Sequence, residues 1–218
     1  MTCNAVPLSG PPERVSPLGS SPITPCFTPG TLIATDRGAQ PVETLRRGNR
    51  VVTRDNGLAR IEWVGRRVVP LGELHLCSEL QPILVAADAF GPGRPAQDMV
   101  VSPAHRFLVR CEDVFQNLSE PEALVAARHL VNGRTVRRVP VLGVSYLHIL
   151  CDRHQVILAN GAWTESFHPD DRVMRAMGNS QRQELLALFP EIDTIGASAR
   201  FPAARRVIRP SLAQVFRG

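Results

Sequence analysis

Between Cys26 and Phe167 the chain is broken every few residues into short β-prone runs, and this punctuation constrains the fold more than any other feature. Thr31–Thr35 is apolar and β-branched and is closed by Asp36-Arg37-Gly38. Arg50–Arg54 runs towards Asn56-Gly57, a dipeptide that favours a two-residue hairpin because both residues tolerate positive φ. Ala59–Pro70 follows as a long strand with Trp63 inside it, and Pro82–Ala87 as another, before a loop marked by Pro92, Gly93 and Pro95. Met99–Val101 and Arg106–Arg110 flank the tight turn Ser102-Pro103-Ala104-His105. Val136–Val144, Ser145–Asp152 and Gln155–Ala159 read as strands, with Asp152-Arg153 suited to a hairpin turn between the last two. Glu122–Leu130 has a short helical look. Many short strands with Pro and Gly between them predict an all-β domain over 26–168.

The character changes on both sides. Residues 1–25 carry Pro7, Pro11, Pro12, Pro17, Pro22 and Pro25 among Ser and Gly, a composition that predicts a disordered leader. After His168-Pro169 comes an extension over 169–218. Within it Asn179–Phe189 reads as one amphipathic helix, capped by Asn179 or Ser180 and stopped by Pro190, and 196–218 as a weakly structured tail.

Composition excludes several function classes. Hydrophobic residues make up 44% and charged residues 21% of the 218, ordinary for a globular chain. No apolar run approaches the roughly 20 residues of a membrane helix, so no membrane partner is expected. Met1–Gly10 lacks a basic start followed by an apolar run, so cytoplasmic residence is the default, with signal-less export left open. The net charge is +5, and all 25 basic residues are Arg. They are dispersed, and the densest stretch, Arg46 to Arg67, is interleaved with Val, Ile and Trp like a solvated sheet face. No nucleic-acid partner is expected, and a monomer is. Cys3, Cys26, Cys77, Cys111 and Cys151 are odd in number and widely spaced, with no CxxC. This is neither a disulfide framework nor a zinc site, and no metal or organic cofactor is expected. Most of the cysteines read as small core residues.

Cys26 differs from the others by its place, where the leader meets the first strand. A thiol there can attack the carbonyl of the Pro25–Cys26 bond and form a thioester by an N-to-S acyl shift. Amide resonance opposes this, with a rotation barrier of about 18–20 kcal/mol. The reaction therefore needs a proton donor at the amide nitrogen, a base for the thiol and stabilisation of the oxyanion. The Ser102-x-x-His105 turn can supply proton handling and a hydroxyl, although a histidine that merely caps a turn has the same spacing. His148 alternates with Tyr146 and Leu150 and reads as packed or half-exposed. His75, His129 and His168 carry no signal, and Trp63 and Trp163 read as packing residues.

Three segments, CFTPGTLIATDRGAQPVETLRRGNRVVTRD at 26–55, SPAHRFLV at 102–109 and YLHILCDRHQVILANGAWTESF at 146–167, together resemble the Hint (hedgehog/intein) superfamily, most closely its bacterial intein-like members. The resemblance implies an all-β, horseshoe-like Hint fold over 26–168, with a short C-terminal helical extension. It implies that Cys26 is the nucleophile and that Ser102 and His105 match the family's Thr-x-x-His block, His105 protonating or straining the scissile amide. His154 matches a histidine that assists later steps, and Asn160-Gly161 a recurrent turn.

The departures matter as much. Ser102 stands for the usual Thr, and Leu147 for an Asp that inteins often carry, with His148 beside it. Glu165-Ser166 stands where splicing inteins carry His-Asn, and neither residue can form a succinimide. The resemblance thus implies single-turnover self-cleavage before Cys26, without full splicing. The chain's own N-terminal segment is the substrate, and water or a small nucleophile the acceptor. Two alternatives stay open: a degenerate Hint-fold binding module, and a Cys26–His105 hydrolase acting in trans on other chains.

Overall fold

The computed structural model describes residues 24–110 and 122–208. The expectation of a disordered leader falls almost wholly outside them, as do Cys3, Cys111 and residues 209–218 of the tail.

The described chain opens with β1 (Leu32–Thr35) and β2 (Gly38–Pro41), a tight hairpin in full register from Leu32↔Pro41 to Thr35↔Gly38. β3 (Arg50–Val52) and β4 (Leu58–Pro70) form the hairpin anticipated at Asn56-Gly57, with Val52 opposite Leu58. Gly57 takes φ +62°, which this turn requires. β4 alternates along its length, turning Ala59, Ile61 and Trp63 inward and leaving Arg60 and Arg66 outside. A short helix α1 (Leu71–Leu76) leads to β5 (Ile83–Val85) and β6 (Met99–Val101). After the Ser102–His105 turn comes β7 (Arg106–Arg110).

The next element corrects the sequence reading. Glu122–Leu130 is a strand, β8 (Glu122–Ala126), followed by one helical turn, α2 (Ala127–Leu130). Its Ala- and Leu-rich composition favours a helix, but all five residues of β8 are buried beside β7, and tertiary context overrides the propensity.

β9 (Val136–Arg138) and β10 (Gly143–Cys151) divide the region read as two abutting strands. β11 (Val156–Ala159) and β12 (Ala162–Glu165) form a hairpin over Asn160-Gly161, with φ +46° and +79°. A Cβ at Gly161 would lie 2.7 Å from the Gly93 carbonyl, so glycine is required there. Asp152-Arg153 is not a hairpin turn. β10 pairs along nearly all of β4, while β11 pairs with β1 and β12, and residues 152–155 carry the chain between them.

Among the described residues the extension holds four short helices, where one was expected: α3 (Asp171–Ala176), α4 (Asn179–Leu188), α5 (Ile192–Ile195) and α6 (Ala197–Arg200). The N-cap of α4 is Gly178, with no side-chain cap, so neither Asn179 nor Ser180 caps it. The tail is ordered as far as β13 (Arg206–Val207), which adds to β8 in parallel.

The large sheet runs β10-β4-β3-β1-β11-β12-β7-β8-β13, with β2 on β1 and the chain wrapping round a mainly aliphatic core. A small sheet, β6-β5-β9, lies beside it. Phe27 joins the two, bridging to Leu147 of β10 and to Val101 of β6. Its ring is 2% exposed, and truncating a phenylalanine buried this way typically costs about 3–5 kcal/mol. This anchor fixes Cys26, its neighbour, in the seam between the sheets. A second apolar cluster packs Trp63, Leu150 and Phe167 against Met174, Leu185, Phe189 and Phe201, so the extension closes the back of β4 and β10.

Candidate active site

Cys26 lies in that seam, 2% exposed. The Pro25–Cys26 peptide bond is held on both sides. The Cys26 N–H donates to Ser102 Oγ at 2.9 Å, and the Pro25 carbonyl oxygen lies 3.0 Å from His148 Nδ1. Ser102 Oγ in turn donates to the Thr24 carbonyl at 2.7 Å, and its backbone N–H to the Cys26 carbonyl at 3.0 Å. The turn that ends β6 therefore clamps residues 24–26. The His105 N–H closes this turn onto the Ser102 carbonyl, and Pro103 supplies the fixed φ that suits its second position.

The Cys26 thiol lies 3.1 Å from the Thr24 carbonyl, 3.3 Å from Thr24 Oγ1 and 3.7 Å from His148 Nε2. Burial pushes its pKa up to about 12; hydrogen bonds from Thr24 and Ser102 and the charge of Arg67 offset this only in part. The resting thiol is therefore protonated at neutral pH.

The His148 ring is also buried, stacked on Trp63 with centroids 5.9 Å apart and met edge-on by Phe167 at 4.6 Å. Burial holds its pKa down to about 4, against the opposing pull of the Pro25 carbonyl, and the ring is neutral at pH 7. A carbonyl oxygen only accepts, so Nδ1 carries the proton. The Trp63 indole N–H donates to Glu184 of α4 at 2.9 Å, which ties this aromatic wall to the extension.

The fold brings Ser102 beside Cys26. His105 makes no hydrogen bond to the peptide bond. Its ring lies 4.4 Å from that of Phe27 and edge-on to Phe107 at 5.6 Å. Both ring nitrogens are buried without a hydrogen-bond partner, and burial lowers the pKa to about 4. His154 belongs to a different cluster. It stacks on His168 with centroids 4.2 Å apart, accepts the Ala204 N–H at Nδ1, and has Nε2 3.4 Å from Glu165. Glu165 is wholly buried and takes the Arg106 N–H at 3.0 Å and Nη1 at 2.7 Å. Burial would raise its pKa, but Arg106 and His154 outweigh that and hold it low.

The sequence reading missed the role of His148. Its one signal was a polar ring inside the run Tyr146–Cys151, which is buried on both faces, so alternation said nothing of which way the ring points.

The family profile of the Hint domain matches residues 25–171. The chain belongs to the Hint domain family. Similar solved structures include a bacterial intein-like domain from Clostridium thermocellum, at 12% identity and TM-score 0.41, covering 65% of this chain and 97% of that one. A DnaB intein from Synechocystis sp. PCC 6803 is 12% identical at TM-score 0.37, covering 66% and 99%. No curated protein matches the sequence. Among the described residues of this Hint domain, no helix is long and apolar enough to cross a membrane, and no group of three or more His, Cys, Asp or Glu is placed to hold a metal.

Proposed function

We propose that this Hint domain cleaves its own chain before Cys26. The Cys26 thiol adds to the Pro25 carbonyl carbon, a C–S bond forms, the C–N bond breaks, and the thiol proton ends on the Cys26 nitrogen. Water, or a small thiol or amine, then takes the acyl group and restores the thiol. The observation that carries this reading is the double grip on one peptide bond, Ser102 on its nitrogen and His148 on its oxygen, with a thiol beside it. Ordered donors aimed where negative charge develops are the usual means of stabilising such an oxyanion.

Two features set it apart from its alternatives. Cys26 is 2% exposed, with its thiol enclosed by Thr24 and His148, which disfavours attack on other chains. A binding module needs no polar groups on this amide. The reading also stops short of splicing. Ser166 is buried with its Oγ accepting the Gln155 N–H, and Glu165 is held by Arg106, so neither position offers an amide that cyclises.

The test places the full chain between two reporter proteins and reads the products by mass. The expected products are the free N-terminal reporter with residues 1–25, and a fragment beginning at Cys26 that keeps the second reporter. Release is faster with added thiol or hydroxylamine and absent in Cys26→Ala. Equal release from Cys26→Ala overturns the mechanism, and a ligated product joining the reporters overturns the absence of splicing.

A further inference from the structure

The two nitrogens of His148 face the two reacting groups of one bond: Nδ1 lies 3.0 Å from the Pro25 carbonyl oxygen and Nε2 lies 3.7 Å from the Cys26 sulfur. We propose that His148 is a catalytic residue that does both jobs with one tautomer, taking the thiol proton at Nε2 while Nδ1–H holds the developing oxyanion. This rests on the cleavage reading above.

The tautomer follows from the partner. The Pro25 oxygen has no proton to give, so Nδ1 carries one and, in the neutral ring, Nε2 carries the lone pair. The thiol has three oxygen or nitrogen atoms within reach, the Thr24 carbonyl at 3.1 Å, Thr24 Oγ1 at 3.3 Å and Nε2 at 3.7 Å. A carbonyl oxygen accepts a hydrogen bond, but only the imidazole takes the proton. The ring is fixed by Trp63 stacked on it and Phe167 at its edge, so neither nitrogen swings away.

The step balances within the chain. The thiol proton passes to Nε2, and the thiolate adds to the Pro25 carbon. The C=O electron pair moves onto oxygen, where the now cationic ring meets it through Nδ1–H. Collapse re-forms the carbonyl and breaks the C–N bond, and the departing Cys26 nitrogen takes the proton from Nε2. The ring returns to its starting form with no co-reactant.

The charged and titratable groups around the ring are few. Arg67 on β4 disfavours its cation, and His105, beyond Phe27, couples weakly to it. Glu165 on β12 acts on Cys26 and favours its neutral thiol, and Tyr146 on the same strand as His148 keeps its own proton, held there by burial and by Cys26. Together with burial these keep both partners neutral at rest, so the proton moves between them only as the carbonyl is attacked.

The experiment follows leader release against pH in the full chain and in His148→Gln. In the parent the base is already neutral, and the rate is flat between about pH 6 and 8. In His148→Gln the carbonyl still has a donor, but the thiolate must form unaided. The rate at pH 7 then falls ~10²–10⁴-fold, the usual contribution of a positioned base, and climbs about tenfold per pH unit. A slowed variant with the parent's flat profile, or a parent-like rate, overturns the assignment. If circular dichroism shows His148→Gln unfolded, ¹⁵N shifts of His148 in the uncleaved Cys26→Ala chain decide instead: a bare Nε2 supports the proposal and a protonated Nε2 overturns it. A parent that keeps its leader in thiol at every pH marks the failure of the cleavage reading itself, and the assignment falls with it.

Discussion

At the scale of single residues, His105 is the most instructive group. A buried polar atom without a partner costs about 1–3 kcal/mol, and His105 has two at 1% exposure. Folding alone favours an apolar side chain in its place, between Phe27 and Phe107. His105→Leu is therefore expected to raise stability by about 1–2 kcal/mol, seen as a higher urea midpoint. If the ring handles a proton at the scissile amide, as the Ser-x-x-His spacing suggests, the same variant also cleaves at least tenfold more slowly. A variant that is more stable and cleaves at the parent's rate would remove His105 from the chemistry. The residue was legible in the sequence because the turn Ser102-Pro103-Ala104-His105 is a local pattern. His148 was not, because its meaning depends on a carbonyl 123 positions away that only the fold brings to it.

At the scale of elements, the long strand β4 shapes the site. Gly65 lies directly opposite His148 in the β4–β10 pairing, and the Trp63 indole reaches across Gly65 to stack on His148. A Cβ at Gly65 would run into that indole. Gly65→Ala is thus expected to push Trp63 off the ring, with an overpacking cost of about 1–3 kcal/mol. It should also slow leader release at least tenfold while the far-ultraviolet dichroism keeps its β shape. Parent-like release from a folded Gly65→Ala would show that the Trp63 stack does not position His148. Local chemistry made much of this level readable. Asn56-Gly57 and Asn160-Gly161 announce their turns, and the alternation of β4 its inner face. Where both faces of a strand are buried, as in β8 and β10, the sequence loses its period. There β8 looked helical and β10 appeared to fold back on β11. The extension was also misjudged. Its helices are short, and they are held by docking onto Trp63, Leu150 and Phe167 rather than by their own periodicity.

At the scale of the whole molecule, the buried titratable groups set how the fold responds to acid. His105 and His148 are held at about 4 by burial, and His168 is lowered as well, against about 6.5 for an unfolded histidine. A folded-state pKa below the unfolded one means the folded chain binds fewer protons, so acid favours unfolding. The stability these rings maintain is complete above about pH 6.5 and is lost as the pH falls towards 4, at about 3 kcal/mol for each fully buried ring. Glu165 acts in the same direction but later. Held low by Arg106 and His154, it adds stability above its unfolded pKa of about 4.3 that is lost as the pH falls further. A typical domain has only about 5–15 kcal/mol in total, so the histidines alone bring it close to unfolding near pH 4. The measurement is the urea midpoint of the uncleaved Cys26→Ala chain from pH 8 to 4. It should be level down to about 7 and then fall, and His105→Leu and His148→Gln should each remove part of the slope. A midpoint that stays level to pH 4.5 would mean that water reaches these rings and that the seam holding Cys26 is open, which would also undercut the enclosed acyl shift.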